Sequence, residues 1–356
     1  MNREKLLKHM KYTIHTVNDI SNGGPHGTFT RPVPFIRQAP EDAYVYQYMV
    51  KSKAEMVCKK DFKVFGITNV KNKKYVVVIP HHNRVDNCIS TIDSFSNMKH
   101  IGIVVVDMTN IPNPILEKKI KSTKNCYITV QDTNSIFNKS EMMNIAYSVL
   151  SKSDIDWFVF HDTDVVLSSN FEEAFLERVS KSDAPLFFQC FAEKRVAYLG
   201  SESSSELKNY LNENSGFSVE FAQRILTNPD VLILGQGAPG GSIAVHRSLF
   251  EVVGGYDSDW YIGYGPEDAS FFSKCVRHYT KHNLDPKWSV HQIQNYNLES
   301  VLGLHLDHVS PVIEEKEYII GSVIHPCLIR LTNRTYQKII TASQQKLWKF
   351  KEVYSQ

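Results

Sequence analysis

The sequence predicts an α/β fold with a mostly parallel central sheet flanked by helices. Two observations predict it. Short β-branched runs read as buried strands, and apolar residues recur at helical spacing between them. The chain has 356 residues, enough for one large domain with extensions or for two modest ones. At 42% hydrophobic and 11% aromatic it can bury a sizeable core, which excludes disorder as the main state.

Residues 1–72 read as an extension. Gly23, Gly24, Pro25, Gly27, Pro32, Pro34 and Pro40 punctuate it too often for long elements, and a weak helical pattern follows at Tyr44, Val45, Tyr48, Met49 and Met56. The main domain is expected over 73–325. Tyr75–Pro80 is a short buried strand, and Val85, Cys88, Ile89, Ile92 and Phe95 then mark a helix. Ile101–Val106 and Cys126–Val130 read as further strands, Met142, Ile145, Ala146, Val149 and Leu150 as a helix, and Trp157–His161 as a fourth strand. This alternation implies parallel strands, and ligands bind beyond the carboxyl ends of such strands. Residues 201–230 are polar and predict helices and loops over the sheet. A Gly-rich stretch, Gly235–Gly241, leads into a strand over Ser242–His246. Pro266 through Tyr279 predicts a helix with Ala269, Phe272, Val276 and Tyr279 on its apolar face. The C-terminal 326–356 reads as a polar helical extension.

Composition narrows the class. Forty Lys+Arg against 38 Asp+Glu leave +2, which argues against a dedicated binder of nucleic acid or membrane surface. No apolar run approaches a membrane span of roughly 20 residues. The N-terminal MNREKLLKHMKY has no apolar segment and no small-residue cleavage site, so no signal peptide and a cytoplasmic location are expected. The six cysteines, Cys58, Cys88, Cys126, Cys190, Cys275 and Cys327, form no C-x-x-C pair and read as buried reduced thiols. Asn138 and Asn333 head glycosylation sequons that carry little weight without a secretory signal.

Four segments carry candidate chemistry. Asp162-Thr163-Asp164 puts hard oxygen ligands at the end of a buried strand, which suits Mn²⁺ or Mg²⁺ bridging the diphosphate of a nucleotide-sugar. The plainer reading is a turn with two solvated aspartates. Gly254-Gly255-Tyr256-Asp257 leads to Gly263-Tyr264-Gly265-Pro266-Glu267-Asp268, where an ionised carboxylate at a helix start is a candidate general base. Acidic residues at a helix N-terminus also occur for stability alone. His305-Leu306-Asp307-His308 holds two histidines able to converge on one metal, although a chain with 14 histidines also pairs them by chance. In His81-His82-Asn83-Arg84, directly after the first strand, Arg84 could meet a phosphate or simply be solvated.

Taken in order, these strings resemble the β-1,4-galactosyltransferase family and its bacterial relatives, including the GalNAc-transferring domain of chondroitin polymerase. Ile79-Pro80-His81-His82-Asn83-Arg84 is similar to the family's I-P-F-R-N-R, and Ile136-Phe137-Asn138-Lys139 with Asn144 to its I-F-N-R-A-K-L-L-N. Phe158-Val159-Phe160-His161-Asp162-Thr163-Asp164 is similar to F-V-F-S-D-V-D, and Gly240-Gly241-Ser242 to G-G-V-S. Gly255-Tyr256 through Glu267-Asp268 is similar to G-F…W-G-W-G-G-E-D-D, and His305–His308 falls where the family has M-I-R-H. The likeness covers roughly residues 74–310.

The resemblance implies the GT-A nucleotide-sugar fold and an inverting, metal-dependent transfer of galactose or N-acetylgalactosamine from a UDP-sugar to a glycan acceptor hydroxyl. It implies that Pro80 and Arg84 line the UDP pocket, and that Asp162 contacts the donor ribose or sugar. Asp164 and His308 would bind Mn²⁺ (or Mg²⁺), with His305 in place of the family's methionine ligand. Glu267 would hold a sugar and Asp268 would be the base. Tyr264 replaces the family's tryptophan, and Pro266 and Ala269 also depart from its pattern, so its acceptor preference does not carry over. Ala238 stands near Gly240 and Gly241 where the family has the tyrosine that crowds the donor's 2-position, which leaves room for an N-acetyl group. The family's disulfide cysteines and membrane anchor are not recognisable, which suits a cytosolic enzyme of polysaccharide biosynthesis. The alternatives are a catalytically inactive UDP-sugar or glycan binder on the same fold, a retaining transferase, and a nucleotidyltransferase. The absence of glycine from His81–Asn87 counts against the last.

Overall fold

The structure is a computed structural model. It describes residues 62–109, 112–130, 138–181, 186–191, 196–233, 241–256 and 300–308, together with 267–268, 271–272, 274–275 and 298. In chain order the strands are β1 (Phe62–Phe65), β2 (Tyr75–His81), β3 (Ile101–Asp107), β4 (Cys126–Val130), β5 (Trp157–His161), β6 (Val165–Leu167), β7 (Phe187–Gln189), β8 (Val196–Tyr198), β9 (Leu232–Ile233), β10 (Ser242–His246) and β11 (Gly303–His305). The helices are α1 (Val85–Ser94), α2 (Pro114–Ser122), α3 (Lys139–Leu150), α4 (Phe171–Ser180), α5 (Ser201–Glu213), α6 (Val219–Ile225) and α7 (Arg247–Val253).

A seven-stranded sheet runs in the order β1-β4-β3-β2-β5-β10-β7. Strands β4, β3, β2 and β5 are mutually parallel, while β1 and β10 run the other way and β7 returns antiparallel to β10. Five of the seven strands therefore share one direction, in keeping with a mostly parallel sheet. The four inner runs are apolar on both faces because both faces are covered. Val76 and Val78 face α3, α7 and Phe271, while Val77 and Ile79 face α1, α2 and α4. β1 lies within the span expected as an extension, and it forms an edge of this sheet. The expected helices over 44–56 and 331–354 lie outside the described residues.

A second, four-stranded sheet, ordered β6-β11-β8-β9, carries its own core with α5 and α6. The sequence reading does not anticipate β6, β7, β8 and β11, because a three-residue strand is too short to show a period of two. It also leaves α2, α4 and α7 unmarked. The two sheets meet at the turn between β5 and β6, which is Asp162-Thr163-Asp164. Among the described residues, no helix is long and apolar enough to cross a membrane. Cys88, Cys126, Cys190 and Cys275 are buried free thiols, and burial pushes the first three up to about 12.

Candidate active site

The D-x-D turn is fastened from several sides. The Asp162 amide donates to the Gly241 carbonyl at 2.7 Å, and the Leu306 amide to the Asp164 carbonyl at 2.7 Å. Thr91 Oγ1 on α1 reaches the carbonyls of Thr163 at 2.9 Å and Val165 at 3.3 Å. Gly241 sits at φ +73°, and a Cβ there would lie 3.2 Å from the Phe191 ring, so this position requires glycine.

Asp164 is buried at the mouth of the turn. His308 Nε2 lies 3.1 Å from its Oδ2 and His305 Nε2 lies 3.6 Å from its Oδ1, while Arg84 Nη1 pairs with Oδ2. Burial opposes ionisation of Asp164, but the His308 bond and the charges of His305 and Arg84 outweigh it and hold the carboxyl well below its usual range. One ligand atom from each of Asp164, His305 and His308 lies within 4.8 Å of the others. A second bond orients His305: its Nδ1 is 3.0 Å from the Leu306 carbonyl, which can only accept. Nδ1 therefore carries a proton, and Nε2 is the ring nitrogen that faces Asp164 and would be offered to a cation. Asn87 Nδ2 on α1 and Ser204 Oγ on α5 hold the Asp307 carbonyl and amide at 3.3 and 3.0 Å, fixing the segment between the histidines.

The other aspartate of the turn faces a different cation. Lys139 is the first residue of α3, whose N-cap Asn138 accepts from the Glu141 amide at 3.0 Å. An ammonium at a helix start opposes the dipole, and burial adds a desolvation cost. Three carboxylates compensate: Asp162 in direct ion pair, Asp268 at 2.5 Å and Glu267 at 3.7 Å. Burial would strip the proton from Lys139, yet the carboxylates outweigh it and keep the group a cation. One positive charge facing three acids leaves negative charge in excess. Burial and mutual repulsion accordingly push Glu267 up to about 8, and burial pushes Asp268 up to about 6 against the pull of Lys139. Glu267 Oε2 is buried without a hydrogen-bond partner. Asn144 exchanges two bonds with the Tyr256 backbone, at 2.8 and 2.9 Å, and so ties α3 to the chain leading toward these acids.

Of the candidate residues, Arg84, Asp162, Asp164, Glu267, Asp268, His305 and His308 come together, and Gly241 supports the turn. Pro80 is buried near the end of β2. Ala238, Gly240 and Tyr264 lie outside the described residues. His81 turns away from the cleft into a buried network: its Nδ1 is 3.0 Å from Asp107, which also accepts from Thr109 at 2.8 Å and from the Tyr127 hydroxyl. Arg84 of the same string does reach the site, through Asp164. Lys139 is visible in the sequence only as part of the I-F-N string, and nothing there marks it as the partner of three acids. Tyr198, whose ring stacks on His305 with centroids 4.4 Å apart, carries no sequence signal at all.

Several solved structures are similar to this chain. Glucosyl-3-phosphoglycerate synthase from Mycobacterium tuberculosis, in complex with Mn²⁺, UDP and phosphoglyceric acid, aligns at 14% identity over 73% of this chain and 80% of its own, with a TM-score of 0.38. The same enzyme with Mn²⁺, UDP and glucosyl-3-phosphoglycerate aligns at 15% identity over 76% and 81%, with a TM-score of 0.38. A further mycobacterial protein aligns at 16% identity over 74% and 77%, also at 0.38. No protein-family model and no curated protein sequence matches the chain.

Proposed function

We propose that this chain is an inverting, metal-dependent glycosyltransferase of the GT-A type, moving galactose or N-acetylgalactosamine from a UDP-sugar to a glycan hydroxyl. The observation that carries this reading is the convergence of Asp164, His305 and His308 within 4.8 Å, at the carboxyl end of an α/β sheet and beside a buried acid cluster. One hard carboxylate with two imidazoles suits Mn²⁺ better than Mg²⁺ or Ca²⁺, which prefer all-oxygen shells. When bound there, such an ion would offset charge developing on the leaving diphosphate.

The chain's own residues supply the rest. Asp164, His305 and His308 would hold the cation, and the Arg84 guanidinium beside them offers a planar fork to phosphate oxygens. Pro80 lines the uridine-diphosphate pocket, Asp162 faces the donor ribose or sugar, and Glu267 holds a sugar hydroxyl. Asp268 takes the acceptor proton. A carboxylate whose proton affinity is raised by burial is a stronger base than a solvated one. One base opposite one leaving group supports in-line displacement with inversion and needs no covalent intermediate. Ala238, where the resembled family has a tyrosine, leaves room for a 2-acetamido group, so either donor fits.

The test is UDP release from a panel of UDP-sugars with Mn²⁺, using wild type, Asp164→Ala and Asp268→Asn, with the product anomer read by NMR. The expected result is turnover by wild type alone and an inverted anomer. Metal-dependent UDP binding without turnover on any acceptor would instead make the chain a binding protein. A retained anomer would remove Asp268 from its role.

A further inference from the structure

We propose that Tyr198 is a positioning residue for the cation site: its ring braces the His305 imidazole in the orientation that keeps Nε2 toward Asp164. This rests on the metal-dependent reading above. In the small sheet, β11 lies between β6 and β8, and its last residue His305 pairs with Val165 on one side and Tyr198 on the other. The Leu199 amide donates to the His305 carbonyl at 2.9 Å, which locks that register. Residues paired across neighbouring strands project to the same face, so the phenol and the imidazole are forced side by side. Their rings stack at 24°, with centroids 4.4 Å apart. The His308 ring stands on the same imidazole, centroids 5.1 Å apart.

The His305 bond to the Leu306 carbonyl restrains one ring atom but leaves the ring able to tilt about it. A stacked neighbour removes that freedom. Outer partners of this kind set ligand orientation and hence metal affinity. Tyr198 is 40% exposed, unlike the fully buried aromatics of the core, so filling the interior does not account for it.

The experiment is calorimetric titration of the full chain with Mn²⁺ alone, without donor, comparing wild type, Tyr198→Phe, Tyr198→Leu, Tyr198→Ala and Asp164→Ala. Circular dichroism and thermal melting check each fold. Tyr198→Phe, which keeps the stack, should bind within about twofold of wild type, whereas the Leu and Ala variants should weaken Mn²⁺ roughly 10–100-fold with little change in melting. Unchanged affinity in the folded Leu and Ala variants, with binding lost in Asp164→Ala, would overturn the role of Tyr198 and leave the site intact. Equal weakening in Tyr198→Phe would overturn it in favour of the hydroxyl. Unchanged affinity in Asp164→Ala would remove the cation site itself, and the proposal with it.

Discussion

Asp268 and Lys139 show how burial changes the proton affinity of common side chains. In water an aspartate is a weak base with no particular orientation. Here it shares a partly buried cluster with Glu267, Asp162 and one ammonium. Asp268→Asn keeps the shape and removes the basic oxygen, so kcat should fall by ~10²–10⁴ with little change in donor KM. The pH profile follows from the same group. Below about 6 the Asp268 carboxyl holds its proton and cannot accept another, so kcat/KM should climb as pH rises through about 6. Lys139 pulls that value down. In Lys139→Met the rising limb should therefore move to higher pH, and in Lys139→Arg it should stay near its wild-type place. A profile in Lys139→Met that overlays wild type would show that the acids ionise without this cation.

At the scale of elements, the site is a junction between α1, the β5–β6 turn, β11 and the start of α3. Helix α1 serves twice. Thr91 holds the D-x-D turn and Asn87 holds the segment between the histidines, so one rigid rod sets the spacing of ligands far apart in the chain. Gly241 closes the other side of the turn. Gly241→Ala forces a left-handed backbone on a residue with a Cβ and presses that atom on Phe191. It should cost about 1–2 kcal/mol, read as a lower urea midpoint at constant m-value. The displaced Gly241 carbonyl should also disturb Asp162, so the variant should lose activity at temperatures where it is still folded.

For the whole molecule, two sheets meet at one turn, and a ligand bridging that turn would link them. Mn²⁺ with UDP should raise the melting temperature of wild type. At one hundred times Kd, binding to the folded form alone contributes about 2.7 kcal/mol. Asp164→Ala should show no such rise, and a full rise in that variant would mean that the nucleotide is held elsewhere. The same architecture explains why part of the chain could be read without coordinates. The long inner strands and helices α1 and α3 repeat their apolar pattern over enough residues for the period to be read. Asp162 and Asp164 are conspicuous because carboxylates rarely close a buried apolar run. Strands β8 and β11 offer three residues each, and their polar and aromatic members gain meaning only from what lies beside them.

The sequence by itself determined the alternation of strand and helix, the acidic turn at the end of β5, and the residue types able to take a cation, a phosphate or a proton. These are local properties, written in spacing and polarity. Only the tertiary structure decided which of them meet: Arg84 with Asp164, His305 and His308, Lys139 with three acids, Tyr198 flat against His305, and His81 turned into the core. The cluster around Asp164 alone spans 224 positions of the chain, from Arg84 to His308. Strand register and helix packing fix them, and no pattern in the neighbouring residues encodes them.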